Sequence, residues 1–257
     1  MINEEGVRNY MAYDLEQLTR IEVEKIFKTN PIVILPVGAT EQHGPHLPYG
    51  TDSFYAEYVA RKVADRLDAV VLPVIPYGYS YVWEGIPGVI SLSDDTFKNI
   101  IYDVANSLKK HGCKILVIIT GHEANIRPLK FAVRKLHNYI YFPIIYFHYP
   151  NLDQFSKGII KSQKWYGMIH ACEIETSVML AINESLVRLD RAIKEYPDIP
   201  ADYGYSDDYL GNISKSGVFG DATLATKEKG EYLLDSMVDF IVDKITKIID
   251  EIDRKIE

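Results

Sequence analysis

Cysteine is scarce in this chain of 257 residues, which contains only two, Cys113 and Cys172. No Cys-x-x-Cys pair is present, so the sequence offers neither a thiolate metal site nor a disulfide framework. Both cysteines lie in segments predicted to be interior. This usage favours a reducing, cytoplasmic setting.

Long apolar runs and basic clusters are missing as well. No apolar run approaches the roughly 20 residues that a membrane-spanning helix needs, and the acidic amino terminus has no apolar signal core. The net charge is -8 and no run of Lys or Arg opposes it, so neither a nucleic-acid partner nor an anionic membrane surface is expected. The composition is 47% hydrophobic and 25% charged, which suits a single globular domain over residues 1–257.

Apolar periodicity predicts alternating strands and helices. The predicted strands are 32–37, 69–75, 114–120 and 140–147. The predicted helices are 14–28, 53–67, 95–111 (capped by Ser93 or Asp94), 126–138, 173–185 and 225–255, with a long loop over 195–222. Strand and helix alternate from residue 30 to 147, which implies an α/β fold with a mostly parallel sheet and helices on both faces.

The strongest site signal follows the first buried strand. Glu41 and His43 are two residues apart, so in extended backbone both point to one side, and Asp52 begins the next helix. Carboxylate and imidazole together suit Zn, Mn or Fe(II) better than a calcium cage or a thiolate site. The alternative is a polar surface loop in which Asp52 only caps the helix.

Two later motifs add candidates. His122 follows the most apolar strand, where a metal or a core hydrogen bond would satisfy its ring. The stretch 170–177, HACEIETS, holds His170, Glu173 and Glu175 beside an apolar run. Glu173 lies at the favourable end of a helix dipole, whereas Glu175 lies on a different face of the helix. Buried ionisable groups need partners, so this segment is a third piece of the candidate site.

Four ordered motifs resemble the creatinine amidohydrolase (creatininase) family. They are LPVGATEQHGPHLPYGTD at 35–52, GHEAN at 121–125, HACEIETS at 170–177 and SGVFGDATLATKEKG at 216–230. The resemblance spans roughly residues 15–245. It implies a three-layer α/β/α sandwich, assembly into homo-oligomers that are often hexamers, and one or two divalent metal ions, Zn, Mn or Fe, per subunit.

The resemblance also implies roles for individual residues. Glu41, His43, Asp52 and His122 match the family's metal ligands, and Asp52 matches the carboxylate that bridges two metals in dinuclear members. His170 matches a catalytic histidine that shuttles protons. Glu175 matches an acidic residue near the site, and it is our candidate to complete the second metal's ligands.

Two departures from the family pattern concern the substrate. Creatinine-cleaving members carry a metal-binding Glu two residues after the ligand histidine, where this chain has Ala124, with Glu123 one residue early. The loop SYVWEGIPG at 80–88 lacks a histidine that many relatives have there. We expect this loop and the GHEAN turn to bind substrate through Ser80, Trp83, Glu84 and Glu123. Trp83 could equally be packed in the core or in a subunit interface.

The expected function is hydrolysis of a C–N bond in a small cyclic amide or formamide by a metal-activated water. A formamidopyrimidine nucleotide and a cyclic ketone remain alternative small-molecule substrates. A phosphorylated substrate would need a basic pocket, for which only Arg127 and Lys130 lie near the GHEAN turn. The chain could also be a non-catalytic metal-holding or ligand-binding relative, or a dinuclear phosphohydrolase.

Overall fold

The computed structural model describes residues 12–205 and 209–255. At its centre is a five-stranded sheet with strand order β1-β3-β2-β4-β5, in which every neighbouring pair is parallel. The strands are Tyr13–Asp14 (β1), Ile32–Val37 (β2), Val70–Val71 (β3), Ile115–Thr120 (β4) and Ile144–Phe147 (β5). The predicted parallel sheet is confirmed.

Helices cover both faces of this sheet. They are Arg20–Phe27 (α1), Thr51–Leu67 (α2), Asp94–Lys110 (α3), Ile126–Ile140 (α4), Leu152–Phe155 (α5), Glu173–Asn183 (α6), Leu210–Ile213 (α7) and Lys227–Arg254 (α8). Helices α2, α6 and α8 pack against Val117 and Ile119 of β4. Helices α1, α3 and α4 pack around Leu116 and Ile118, which point to the opposite face. The three-layer α/β/α sandwich is therefore confirmed.

Strands β2 and β4 form the centre of the sheet because their residues are apolar on both faces. All six positions of β4 are buried, as expected for a parallel strand covered by helices on both sides. The register pairs Ile32 with Ile115 and continues to Val37 with Thr120. The carboxyl ends of β2 and β4 are thus side by side, and the loops that follow them begin at the same edge.

Several predicted boundaries are wrong for local reasons. The helix predicted over 14–28 begins at Arg20, because the N–H of Thr19 donates to the Glu22 carboxylate at 2.7 Å and marks the helix start. Residues 13–14 pair with β3 instead. The strand predicted over 69–75 is confined to β3, since Pro73 has no N–H for the ladder.

Other ends follow capping chemistry. Ser93 caps α3 by accepting a hydrogen bond from the N–H of Thr96, as predicted. The strand predicted from residue 140 begins at 144, because α4 runs to Ile140 and ends with Tyr141 in a left-handed conformation. The last helix starts at 227 rather than 225, where Thr226 caps it.

The predicted loop over 195–222 contains regular structure. Lys194–Glu195 (β6) and Gly220–Asp221 (β7) pair antiparallel, and α7 lies between them. These elements are two to four residues long, so they have too few residues to show an apolar period. The two-stranded ribbon connects the long segment after α6 back to the motif at 216–230.

Cys113 and Cys172 are buried free thiols, in agreement with their predicted interior position. Within residues 12–205 and 209–255, none of the helices combines the length and apolar character that crossing a membrane requires. Residues 1–11, on which the expectation of no signal core rests, lie outside the described residues. That expectation, the cytoplasmic setting, the single domain over 1–257 and the homo-oligomer stay predictions.

Candidate metal centre

The loops after β2 and β4 bring the predicted ligand side chains together at the carboxyl edge of the sheet. Glu41 and His43 lie on the loop after β2, Asp52 lies in the first turn of α2, and His122 follows β4. All four are buried, with exposed fractions of 1%, 0%, 2% and 6% in that order. Four ionisable side chains this deep need strong partners, so their mutual geometry decides what the site can do.

A glycine allows the two loops to approach. A Cβ atom added at Gly121 would lie 2.1 Å from the backbone oxygen of Asp52, so only glycine fits at this position. The end of β4 therefore lies directly against the start of α2. As a result, Nδ1 of His122 lies 3.3 Å from Oδ2 of Asp52.

Asp52 is shared between two histidines. Its Oδ2 faces His122, while its Oδ1 lies 3.2 Å from Nε2 of His43. Nδ1 of His122 is also 3.3 Å from Oε1 of Glu41. The start of α2 thus presents one carboxylate oxygen to each side of the cluster, and it does more than cap the helix.

Backbone carbonyls orient the histidine rings. Nδ1 of His43 lies 3.2 Å from the Glu41 carbonyl, Nε2 of His122 lies 3.0 Å from the Tyr79 carbonyl, and Nε2 of His170 lies 2.6 Å from the Gln42 carbonyl. A carbonyl only accepts, so these nitrogens carry hydrogen. The opposite nitrogen of each ring faces the carboxylates, as in metal-binding histidines whose second nitrogen is held by an outer partner.

The residues fit a metal ion. Oε2 of Glu41, Nε2 of His43 and Oδ2 of Asp52 are buried, and among the described residues none of them forms a hydrogen bond of adequate geometry, although the latter two lie close to ligand atoms of the cluster. Buried polar atoms of this kind are rare unless something else satisfies them. A divalent cation bound by carboxylate and imidazole would satisfy all three.

The ligand atoms fall into overlapping groups whose members lie within 4.8 Å of one another. The groups are Glu41, Asp52 and His122; His43, Asp52 and Glu175; and Glu41, His43 and His170. Asp52 belongs to the first two, with a different oxygen turned toward the histidine of each. The Asp52 carboxylate is therefore common to two groups of side chains, each of which could hold a cation.

The negative charge of the cluster also raises histidine pKa values. Burial alone lowers the pKa of His43, but Asp52, Glu175 and Glu41 outweigh it and raise the pKa to about 9. The pKa of His122 is likewise well above its ordinary value, because Glu41 and Asp52 outweigh burial. Burial raises the pKa of Glu175 to about 7. The carboxylates of the cluster therefore favour positive charge at this site, either on the histidines or on a bound cation.

His170 lies beside the cluster. Its Nδ1 is 3.7 Å from Oε1 of Glu41, and its ring centroid is 4.3 Å from that of His43 and 4.5 Å from that of Trp83. The N–H of Phe219 donates to its carbonyl at 2.9 Å, so the motif at 216–230 fixes its backbone. Burial, and then the charge of His43, lowers the pKa of His170 to about 3.

Glu173 and Glu175 point to different places, as their spacing predicts. Glu175 accepts a hydrogen bond from the N–H of Ala171 and joins the group with His43 and Asp52. Glu173 is fully buried away from the cluster, where it accepts hydrogen bonds from the N–H of Ser162 at 2.7 Å and from Nζ of Lys229 at 2.6 Å. It fastens the loop before His170 to α8.

A comparison with known families agrees with this geometry. The profile of the Creatininase family, described as creatinine amidohydrolase, matches residues 16–245. The chain belongs to the creatininase family. The resemblance predicted from the four motifs is thereby confirmed, and the family is one of hydrolases.

Two curated relatives of this chain differ in the substrates that their names give. The mycofactocin precursor peptide peptidase of Mycolicibacterium smegmatis is 32% identical over 225 residues, covering 84% of this chain and 85% of the relative. The creatinine amidohydrolase of Pseudomonas putida is 31% identical over 230 residues, covering 83% and 88%. Relatives of equal similarity thus act on a peptide and on creatinine, so overall identity does not choose the substrate.

Solved creatininase structures share the fold. A manganese creatininase superimposes with a TM-score of 0.80 at 29% identity, covering 92% of this chain and 98% of that one. A mutant creatininase of the Zn-Zn type gives 0.77 at 29% identity, covering 91% and 96%. Divalent metals therefore occur in neighbours that cover nearly the whole chain.

A cavity with a volume of about 890 Å³ opens onto the cluster of ligand side chains. Of the predicted substrate-binding residues, Trp83 and Glu123 line it. Ser80 instead lies behind the cluster, with its Oγ 3.4 Å from Nε2 of His122. Glu84 is exposed outside the lining and accepts a hydrogen bond from the Tyr209 hydroxyl. Neither Ser80 nor Glu84, for which substrate contacts are predicted, belongs to the cavity lining.

Trp83 is both packed in the core and part of the cavity wall, so the structure agrees with both of the interpretations that the sequence left open. It is fully buried and packs edge-on against Phe219, yet its indole also covers His170 at the cavity wall. Ala124 lines the same cavity, and Glu123 is exposed at its rim. Glu123 belongs to none of the possible ligand groups among the described residues.

His148 is a lining histidine that the sequence analysis did not single out. It follows β5 directly and lines the cavity, at the same carboxyl edge of the sheet where His122 follows β4. Burial, and then the charge of His122, lowers the pKa of His148 to about 4. The signal was available, because ligand sites collect at the carboxyl ends of parallel strands.

Metal binding is expected to release protons. At pH 7 the metal-free protein holds protons on His43 and His122, whose pKa values are raised, and a bound cation must displace them. We therefore expect Zn²⁺ to displace about two protons per molecule at pH 7. Affinity should rise as the pH increases toward about 9, because fewer protons then compete. Calorimetry in buffers of different ionisation enthalpy measures the release, and a buffer-independent heat would contradict it.

Proposed function

We propose that this protein is a metal-dependent amidohydrolase that cleaves a C–N bond of a small amide or formamide with water. The observation that carries the proposal is the Asp52 carboxylate, with Oδ1 beside His43 and Oδ2 beside His122. A carboxylate between two imidazoles, buried beside further carboxylates, is a site built for cations. Family membership supports hydrolysis as the reaction class.

The residues that would hold one or two divalent cations, Zn, Mn or Fe, are Glu41, His43, Asp52, His122 and Glu175. When bound there, a divalent cation supplies a Lewis acid that polarises a carbonyl and makes water acidic enough to react near neutral pH. Glu175 takes the part of the Glu that creatinine-cleaving members carry where this chain has Ala124. Its proximity to His43 and Asp52 supports that assignment.

His170 is the residue proposed to move the proton. Its Nε2–H is held by the Gln42 carbonyl, so Nδ1 is the nitrogen left to exchange a proton. Its low pKa leaves the ring neutral at rest, so the lone pair at Nδ1 is free to take up a proton from the attacking water. It then gives that proton to the departing nitrogen. The rings of Trp83 and His43 fix its orientation throughout.

A His170→Ala variant is expected to keep its metal and lose turnover by about 10²–10⁴-fold, the usual contribution of a general acid and base. A His122→Ala variant should lose both metal and turnover, because it removes a ligand. Metal content by mass spectrometry and kcat on the same amide separate the two roles. Full turnover of the His170 variant would show that another group moves the proton.

The proposed function is tested by removing and restoring the metal. Protein stripped with a chelator and reloaded with Zn²⁺, Mn²⁺ or Fe²⁺ should regain hydrolysis of at least one compound in a panel of cyclic amides, formamides and short peptides. The panel should include a formamidopyrimidine nucleotide and a cyclic ketone. Stoichiometric metal with no hydrolysis of any member would favour a ligand-binding role, and phosphate release from a simple phosphoester would favour a phosphohydrolase.

Cleavage of a short peptide is the second candidate. The cavity, at about 890 Å³, is larger than a ring of creatinine's size requires and lies near the upper end of ordinary small-molecule sites. The Mycolicibacterium smegmatis relative is a peptide peptidase. Peptides and cyclic amides should therefore be assayed side by side, and the ratio of their kcat/KM values decides between them.

A further inference from the structure

Two cationic side chains line the cavity away from its buried acidic cluster. Arg127 and Lys130 are three residues apart on α4, so they lie on one side of the helix. Both belong to the cavity lining and both are exposed, whereas Glu41, Asp52 and Glu175 in the same lining are buried. The cavity therefore has a buried acidic floor and a cationic mouth.

In the part of the chain that the structure describes, the cations at the mouth do not contribute to holding the fold together. Among the described residues, neither the Arg127 nor the Lys130 side chain makes an ion pair or a hydrogen bond. Other cations of this chain are paired, including Arg61 with Asp14 and Lys114 with Asp253. In a chain of net charge -8, two cations that face one cavity and have no partner among the residues described form a local site of attraction for anions.

The neighbouring acid, Glu123, is not paired with Arg127 or Lys130 in the described part of the chain. Glu123 lies four residues before Arg127 at the same rim, yet the two form no ion pair among the described residues. Instead, burial and then the charge of Glu123 raise the pKa of Tyr203, another lining residue.

The two charged regions call for different ligands. Arg127 and Lys130 cannot assist the binding of metal ions at the floor, because like charges repel. They can bind an anion, since a guanidinium matches the two oxygens of a carboxylate or phosphate and an ammonium adds a point charge. The cavity volume of about 890 Å³ leaves room for a substrate that reaches both regions.

We propose that the substrate carries an anionic group, a carboxylate or a phosphate, at the end remote from the bond that is cleaved, and that Arg127 and Lys130 hold that group. This proposal rests on the proposed function, because the other end of the substrate must reach the metal ligands. It excludes creatinine, which has no anionic group, as the preferred substrate. An acyl chain or a short peptide that ends in a carboxylate could reach the metal ligands with one end and Arg127 and Lys130 with the other.

Binding of simple acids to the zinc-loaded protein tests this without a known substrate. Butyrate can engage the metal with its only carboxylate, whereas the diacids succinate, glutarate, adipate and suberate carry a second carboxylate at increasing distance from the first, which can also reach the mouth. We expect one diacid length to bind about 10-fold more tightly than butyrate, the size expected from two exposed charge contacts. Calorimetry measures both affinities, and the preference should weaken with added salt.

Two double variants test whether Arg127 and Lys130 cause the tighter binding of the diacid. The double variant Arg127→Gln with Lys130→Gln should bind butyrate as before and lose most of the preference for the diacid. The double variant Arg134→Gln with Lys110→Gln removes the same charge from exposed positions outside the cavity lining and should keep the preference. Replacing the distal carboxylate by a phosphonate shows whether carboxylate or phosphate is held more tightly.

Two results would overturn the inference. One is equal binding of butyrate and every diacid, and the other is a preference that survives in the Arg127 and Lys130 variant. Either result, obtained with metal bound and butyrate binding intact, leaves the proposed function standing. If the protein takes up no metal and binds no butyrate, the proposed function fails and the inference fails with it.

Discussion

An Asp52→Asn variant is expected to lose both bound metal and hydrolysis, with kcat/KM falling on the order of 10³-fold or more. This loss is larger than the one caused by changing a residue that only hydrogen-bonds to a metal ligand. The reason is geometric. Oδ1 and Oδ2 of Asp52 face His43 and His122 separately, so one amide substitution affects both possible cation positions. The amide keeps one acceptor oxygen and presents an NH₂ group to the other side, where it would repel a cation.

The measurement is metal per protein by mass spectrometry, followed by kcat/KM on whichever amide is hydrolysed. Glu123→Gln is the matched control, because it also neutralises a carboxylate in the cavity lining but belongs to no possible ligand group among the described residues. It should keep its full metal content. Wild-type metal content in the Asp52 variant would show that the shared carboxylate is not a ligand, and the proposed mechanism would then be wrong.

A Gly121→Ala variant is expected to lower the free energy of unfolding by about 3 kcal/mol or more, at or above the usual cost of overpacking. The added Cβ would lie 2.1 Å from the backbone oxygen of Asp52 and 2.8 Å from its carbonyl carbon. A side-chain neighbour could rotate away, but this neighbour is the first turn of α2. The loop after β4 must therefore move away from α2, and His122 moves with it.

Urea unfolding measures this loss, and metal content reports the displacement of His122. Gly211→Ala is the control, because its nearest neighbour is the end of the Ile86 side chain at 3.3 Å, which can move. Gly211 lies in a helix, α7, where alanine is the better helix former, so we expect a change within about 1 kcal/mol. If both variants unfold alike, the close approach between β4 and α2 is not what positions the ligands.

Much of the fold was predictable because the central strands are apolar on both faces. The six-residue runs of β2 and β4 can only be buried under helices, and their alternation with helices implies a parallel sheet. The errors fell on short elements. Strand β3 is only two residues long, and β1 became a strand only by pairing with β3. An edge strand of that length has no period of its own.

The candidate site was predictable in part for a similar reason. Glu41, His43, Asp52 and His122 all follow strands or begin a helix, where open parallel sheets collect ligands. The positions of Ser80 and Glu84 outside the cavity lining could not be predicted from the sequence. Neighbours in a loop can turn to different sides, and here one lies behind His122 while the other reaches Tyr209.

The order of strands and helices, the ligand types and the family motifs can all be read from this chain, because local periodicity and spacing encode them. The sequence does not show which of the ligand side chains lie next to one another. Glu175 joins His43 and Asp52, while its neighbour Glu173 holds Lys229 of α8, because the packing of α6 sets the direction of each carboxylate. Likewise, Arg127 and Lys130 face the same cavity as Asp52 only because β4 ends against α2, which places the start of α4 at the cavity mouth.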